Sequence, residues 1–188
     1  MHELGFSVLA VDYRGFGRSS EGLPSETTAL EDARVAWDWI GRRHPTQARY
    51  IFGHSLGGAI AIDLAVQVDD ERGTIVEGTF TSIPALVASF KWGWLPVAGL
   101  ITQRFDSVRK VANIGSPLVV VHGSEDRLIP LALGRQLYEA AGEPKRFLLV
   151  QGGSHHNTNV LGQAQYREVM AELFELGSPP QAVKLLNE

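Results

Sequence analysis

The strongest constraint on this chain is an alternation of short apolar runs with helical patterns. Residues 6–11 (F-S-V-L-A-V), 50–52 (Y-I-F), 74–79 (T-I-V-E-G-T), 118–122 (L-V-V-V-H) and 146–150 (R-F-L-L-V) are brief and rich in β-branched and aromatic side chains. Runs this short, apolar on both faces, predict strands of a buried parallel sheet. Between them, Leu30, Ala33, Trp37 and Ile40 recur at helical spacing, which predicts a helix closed by Pro45. Further helices are expected through Ala59, Ile62 and Val66, over 131–141 up to Gly142, and over 163–176 up to Gly177. The whole predicts an α/β fold: a mostly parallel sheet of about five strands, flanked by helices. The length of 188 residues fits one domain. Residues 82–109 break the rhythm, being long and rich in aromatics and glycine, and read as a cap or as an elongated crossover helix.

Composition narrows the chemistry. With a formal net charge of −4 and basic residues scattered along the chain, no stripe of Lys and Arg could track a phosphate backbone, so nucleic acid is not expected as a partner. The absence of cysteine excludes disulfides, thiolate nucleophiles and cysteine-based metal sites. The histidines show no H-E-x-x-H spacing, so no metal or cofactor is expected. The N-terminus lacks the pattern of a secretory signal, and the apolar stretch 85–101 is interrupted by Lys91, two glycines and Pro96. No transmembrane segment is therefore expected in this chain. A cytoplasmic location is expected, with membrane association through a preceding part left open.

Gly53-His54-Ser55-Leu56-Gly57 follows an expected strand directly and precedes an expected helix. A G-x-S-x-G string in that context places the serine at the tip of a tight strand-to-helix turn, with its hydroxyl projecting into a cleft. The flanking glycines are expected to let strand and helix approach without a side-chain clash, and Gly58 extends the small surface of that helix. The helix N-terminus behind the turn presents free N–H groups, and the Leu56 N–H is the expected donor to a developing oxyanion.

A serine hydroxyl needs a neutral imidazole to take its proton and a carboxylate to orient that imidazole. Two loops at C-terminal strand ends carry these groups: Gly123-Ser124-Glu125-Asp126-Arg127-Leu128-Ile129-Pro130, and Gln151-Gly152-Gly153-Ser154-His155-His156. Open α/β sheets place their sites at that end. Asp126 and Glu125 are the candidate acids on the first loop, and His155 and His156 the candidate bases on the second. His54 is expected to pack beside the site, and His122 to be structural.

With these strings in place, the chain resembles the α/β-hydrolase superfamily. Asp12-Tyr13-Arg14-Gly15-Phe16-Gly17-Arg18-Ser19 is similar to the D-Y-R-G-x-G-x-S turn of that superfamily. Glu77-Gly78-Thr79-Phe80-Thr81-Ser82-Ile83 is similar to the E-x-T-F-T-S-I of ABHD-type serine hydrolases, and G-S-E-D-R-L-I-P to the G-x-x-D-x-x-(I/V)-P acid loop. The resemblance implies a serine hydrolase acting on small acyl esters or thioesters through an acyl-enzyme, with Ser55, Asp126 and His155 as catalytic residues. Tyr13 is a further candidate near the oxyanion region, and the aromatics of 90–96 are candidates for an acyl pocket.

The same resemblance implies strands, and a second oxyanion donor, upstream of residue 6 that this sequence does not contain. Losing one such donor typically costs about 10²–10³ in turnover. The expectation is an N-terminally truncated fold in which 6–11 pairs directly with 50–52, or in which another chain, including a second copy, fills the gap. A catalytically weak α/β-hydrolase remnant that binds a ligand or partner is the competing reading. A cofactor-free haloperoxidase-like activity would use the same three residues.

Overall fold

The structure, a computed structural model, describes residues 1–90 and 101–176. Its centre is a four-stranded, all-parallel sheet in the order β1 (Arg49–His54), β2 (Glu71–Glu77), β3 (Leu118–Gly123), β4 (Lys145–Val150). A parallel neighbour requires a crossover, and the helices supply it. Helix α1 (Glu26–Arg43) precedes β1, and α2 (Leu56–Gln67) joins β1 to β2. Two short helices, α3 (Ile83–Ser89) and α4 (Ser107–Lys110), lie between β2 and β3, and α5 (Leu131–Ala140) joins β3 to β4. The short α6 (Thr158–Leu161) and α7 (Gln163–Leu173) follow β4. Among the described residues, no helix is long and apolar enough to cross a membrane.

Strand alternation divides the core into two layers. Val76, Leu118 and Val120 face α1, α2 and α5, where they pack with Trp37, Ile60, Ile62, Leu64 and Leu137. Ile75, Val119 and Val121 face the opposite side and pack with Tyr166, Met170 and Phe174 around α7. Every residue of β3 is buried, as an interior strand covered on both faces demands. Helix α1 begins at a reciprocal cap: the Ser25 side chain accepts from the Thr28 N–H, and the Thr28 side chain accepts from the Ser25 N–H.

Residues 6–11 are not a strand, which corrects the expected count from about five to four. The apolar run has strand-like composition, but a strand exists only where a neighbour completes its ladder. Among the described residues, β1 pairs with β2 alone, and 6–11 does not pair with it. The run is held at its ends. Phe6 packs edge-on against Tyr50, and Arg14 binds Asp32 and Glu31 of α1 through its guanidinium. Its middle remains open to solvent, with Val8 59% and Leu9 41% exposed, as is Phe52 on β1 at 40%.

The segment 82–109 is not one long crossover helix. It leaves β2 through α3, capped by the Ser82 side chain, and returns to the same place. The Ile83 N–H donates to the Arg104 carbonyl at 2.9 Å and the Val108 N–H to the Thr81 carbonyl at 3.1 Å, so the two ends are stitched together. Trp92 and Trp94, among the candidates for an acyl pocket, lie outside the described residues.

Candidate active site

The C-terminal end of β1 runs straight into α2, and Ser55 is the single residue between them. Its backbone adopts φ 56 and ψ −123, a conformation that a residue with a Cβ rarely takes. Such a residue costs about 1–3 kcal/mol and persists only where its surroundings hold it. Here the Ser55 N–H donates to the Glu77 carbonyl at 2.9 Å. The Ser55 carbonyl accepts from the Gly58 N–H at 3.0 Å and from the Thr79 hydroxyl at 2.8 Å. Ser55 is half-buried, so the residue is partly open to solvent. The Leu56 N–H opens α2, where no helical carbonyl lies behind it to accept its hydrogen.

The glycines of the turn are not equivalent. A Cβ on Gly53 would stand 2.1 Å from the Gly57 carbonyl oxygen and 2.7 Å from the Ala61 Cβ, so strand and helix touch there. A Cβ on Gly57 would meet nothing within 4 Å, contrary to the expectation that both flanking glycines relieve a clash. Gly58 takes that part instead: its Cβ would stand 2.6 Å from the Thr79 Cβ. Gly53→Ala is therefore expected to cost about 1–3 kcal/mol through forced overpacking against backbone. Gly57→Ala should be neutral or slightly stabilising, because alanine favours helix over glycine. Urea unfolding midpoints of the two variants check the contrast.

The acid and the imidazole converge across the sheet end. His155 Nδ1–H donates to Asp126 Oδ2 at 2.8 Å, and the side chains are 6% and 1% exposed. The other carboxylate oxygen, Asp126 Oδ1, accepts from the N–H groups of Leu128 and Ile129, both at 2.9 Å. A buried carboxylate with three donors is fixed in place and charge-compensated. The Nδ1–H bond leaves His155 Nε2 with a free lone pair, the tautomer a general base requires. Among the described residues, no hydrogen bond joins Ser55 Oγ to His155 Nε2. Such bonds commonly form only when substrate draws the groups together.

The remaining candidates separate by position. Glu125 is exposed, and its backbone N–H donates to the Gly153 carbonyl at 2.8 Å. His156 is exposed and packs edge-on against His155, with ring centres 5.1 Å apart. Tyr13 is partly buried against the α1–α2 core, where burial and then the nearby Asp32 raise its phenol pKa. It makes no side-chain hydrogen bond to the serine turn among the described residues.

Two histidines hold the frame. His54 Nε2–H donates to the His155 carbonyl at 2.8 Å, tying the serine strand to the histidine loop. Their rings lie 4.7 Å apart. His122 is completely buried and donates from Nε2 to the Ile129 carbonyl at 2.9 Å. Burial is the main cause that lowers its pKa, opposed by the Ile129 bond and the nearby Asp126. Its Nδ1 has no partner, as suits a neutral ring that keeps a bare lone pair there rather than a buried N–H.

Sequence reasoning missed the end of β2 as part of this site. Glu77, Gly78 and Thr79 read in the sequence only as a strand end and a family string, and nothing local ties them to Ser55. A charged groove of about 440 Å³ lies at the opposite end of the sheet, among Arg34, Asp38, Arg49 and Asp70. Arg34 pairs with Asp38 and Arg49 with Asp70, and its lining includes neither serine nor histidine. No group of three or more metal-binding side chains is present among the described residues.

The profile of the family described as "Serine aminopeptidase, S33" matches residues 1–108. An uncharacterised protein of Mycobacterium tuberculosis, Rv2307c, is 37% identical over 164 residues, which cover 86% of this chain and 57% of that protein. The lysophosphatidylserine lipase ABHD12 of Danio rerio is 35% identical over 162 residues, covering 77% of this chain and 42% of the lipase. The chain thus spans about half the length of these curated relatives. Among solved structures, an esterase of Pyrococcus furiosus superposes with a TM-score of 0.74 at 17% identity, over 92% of this chain and 71% of the esterase. By its family match, its relatives and its fold, the chain belongs to the S33 family of the α/β hydrolases and is of the ABHD type.

Proposed function

We propose that the chain is a serine hydrolase that cleaves carboxylic ester or thioester bonds through an acyl-enzyme on Ser55. The observation that carries this reading is the buried Asp126–His155 pair, bonded at 2.8 Å beside a serine held in a strained, partly exposed turn. Ser55 Oγ attacks the acyl carbonyl carbon while His155 Nε2 takes the hydroxyl proton. Asp126 holds the imidazole in the required tautomer and compensates the imidazolium. The Leu56 N–H donates to the oxyanion as the carbonyl becomes tetrahedral. The imidazolium returns its proton to the departing alcohol or thiol, and the same relay then activates a water that releases the acid.

The ester preference draws on relatives: the zebrafish protein is described as a lysophosphatidylserine lipase, and the Pyrococcus structure as an esterase. The stretches 82–90 and 101–109, which depart and return beside Thr81, are proposed as the base of a cap over the acyl site. Turnover of p-nitrophenyl butyrate, with a burst of p-nitrophenol equal to the enzyme concentration, is the expected result. A competing reading, a ligand-binding protein with little catalysis, is favoured by the missing hydrogen bond between Ser55 Oγ and His155 Nε2 among the described residues. Saturable binding of the ester without turnover or burst would select it.

A further inference from the structure

Three consecutive residues at the end of β2 touch both halves of the candidate site. The Glu77 carbonyl accepts from the Ser55 N–H at 2.9 Å, and the Thr79 hydroxyl donates to the Ser55 carbonyl at 2.8 Å. Between them, Gly78 turns the chain with φ 53, and a Cβ placed on it would stand 3.4 Å from both Asp126 Oδ2 and His155 Nδ1. The bend at Gly78 thus sends one neighbour to each end of the Ser55 residue while lying against the acid–imidazole pair.

This strand end is itself immobilised. The Gly78 N–H donates to the Val121 carbonyl at 2.9 Å, and the Glu77 carboxylate, 2% exposed, accepts from the buried Tyr166 hydroxyl. Thr79 is 1% exposed and wedged against α2 where Gly58 leaves room, so its hydroxyl has no freedom to turn away.

We propose that Thr79 is a positioning residue that locks the strained Ser55 backbone and sets the nucleophile against the Asp126–His155 pair. A hydroxyl donating to the Ser55 carbonyl opposes rotation of the Ser55–Leu56 peptide, which carries the Leu56 N–H on its other side. Relaxation of Ser55 out of its positive φ would swing the serine side chain and that N–H together. Thr79 therefore governs nucleophile and oxyanion donor through one bond. Its consequence for turnover rests on the nucleophile reading of Ser55, whereas its consequence for the backbone does not.

Thr79→Val keeps the shape and removes the donor, and Thr79→Ser keeps the donor. Amide hydrogen exchange, read by mass spectrometry over residues 53–58, and fluorophosphonate labelling kinetics are measured on the parent and both variants. In Thr79→Val, exchange over 53–58 is expected to rise about two- to tenfold, the range one buried hydrogen bond spans. The rest of the sheet should keep parental exchange. The labelling rate and kcat for p-nitrophenyl butyrate should fall about tenfold with KM within about twofold, and Thr79→Ser should restore both readouts.

Parental exchange at 53–58 in Thr79→Val would overturn the proposal. So would a valine-like loss in Thr79→Ser, or faster exchange spread evenly over β2, α2 and α7. A parent protein that neither labels nor turns over ester would defeat the hydrolase reading alone, and the exchange comparison would still decide the role of Thr79.

Discussion

Ser55→Ala is expected to lower kcat for p-nitrophenyl butyrate by about 10⁶-fold, the loss seen when a serine nucleophile of this kind is removed. What remains should be the modest acceleration that an oxyanion donor and binding supply on their own. The fold should survive. Among the described residues, Ser55 is hydrogen-bonded through its backbone alone, by Glu77, Gly58 and Thr79, and those bonds are indifferent to the hydroxyl. Alanine has the same Cβ in the same positive-φ backbone, so the unfolding free energy from urea denaturation should change by less than about 0.5 kcal/mol. A variant that unfolds would point to a structural role for the hydroxyl that the structure does not contain.

His155→Ala should cost about as much as Ser55→Ala, and the double variant no more than either, because groups acting as one relay are not additive. The side chain removed is 6% exposed and is the one bound to Asp126. The backbone carbonyl that His54 holds is retained in the variant. His156→Ala is the internal control. That ring is exposed and only flanks His155, so kcat should change less than about threefold. If His156→Ala abolished turnover and His155→Ala spared it, the base would have to be reassigned.

What was legible in the sequence follows from how local each feature is. The serine turn is written in five consecutive residues, and a strand and a helix on either side complete it, so Ser55 needed no tertiary knowledge to place. Asp126 and His155 are 29 residues apart, and the strings around them suggested the pair, but the 2.8 Å bond exists only because β3 and β4 are neighbours. Thr79 was invisible as a partner of Ser55, 24 positions away, since nothing in either local string specifies which strand end abuts the turn. The reading of 6–11 as a strand failed for the complementary reason. Strand propensity describes what a segment tolerates, and pairing depends on a neighbour that the segment does not encode. Gly57 differs on a smaller scale, because the contact that the motif predicts for it is occupied by Gly53 and Gly58 instead.

The central claim is that Ser55 is an activated nucleophile, and covalent capture tests it most directly. The protein is incubated with a fluorophosphonate probe, digested, and its peptides mapped by mass spectrometry, with Ser55→Ala alongside. One adduct per chain, on the peptide carrying Ser55 and absent from the variant, is the predicted result. No adduct on the parent, or an adduct that persists on another residue in Ser55→Ala, would contradict the account.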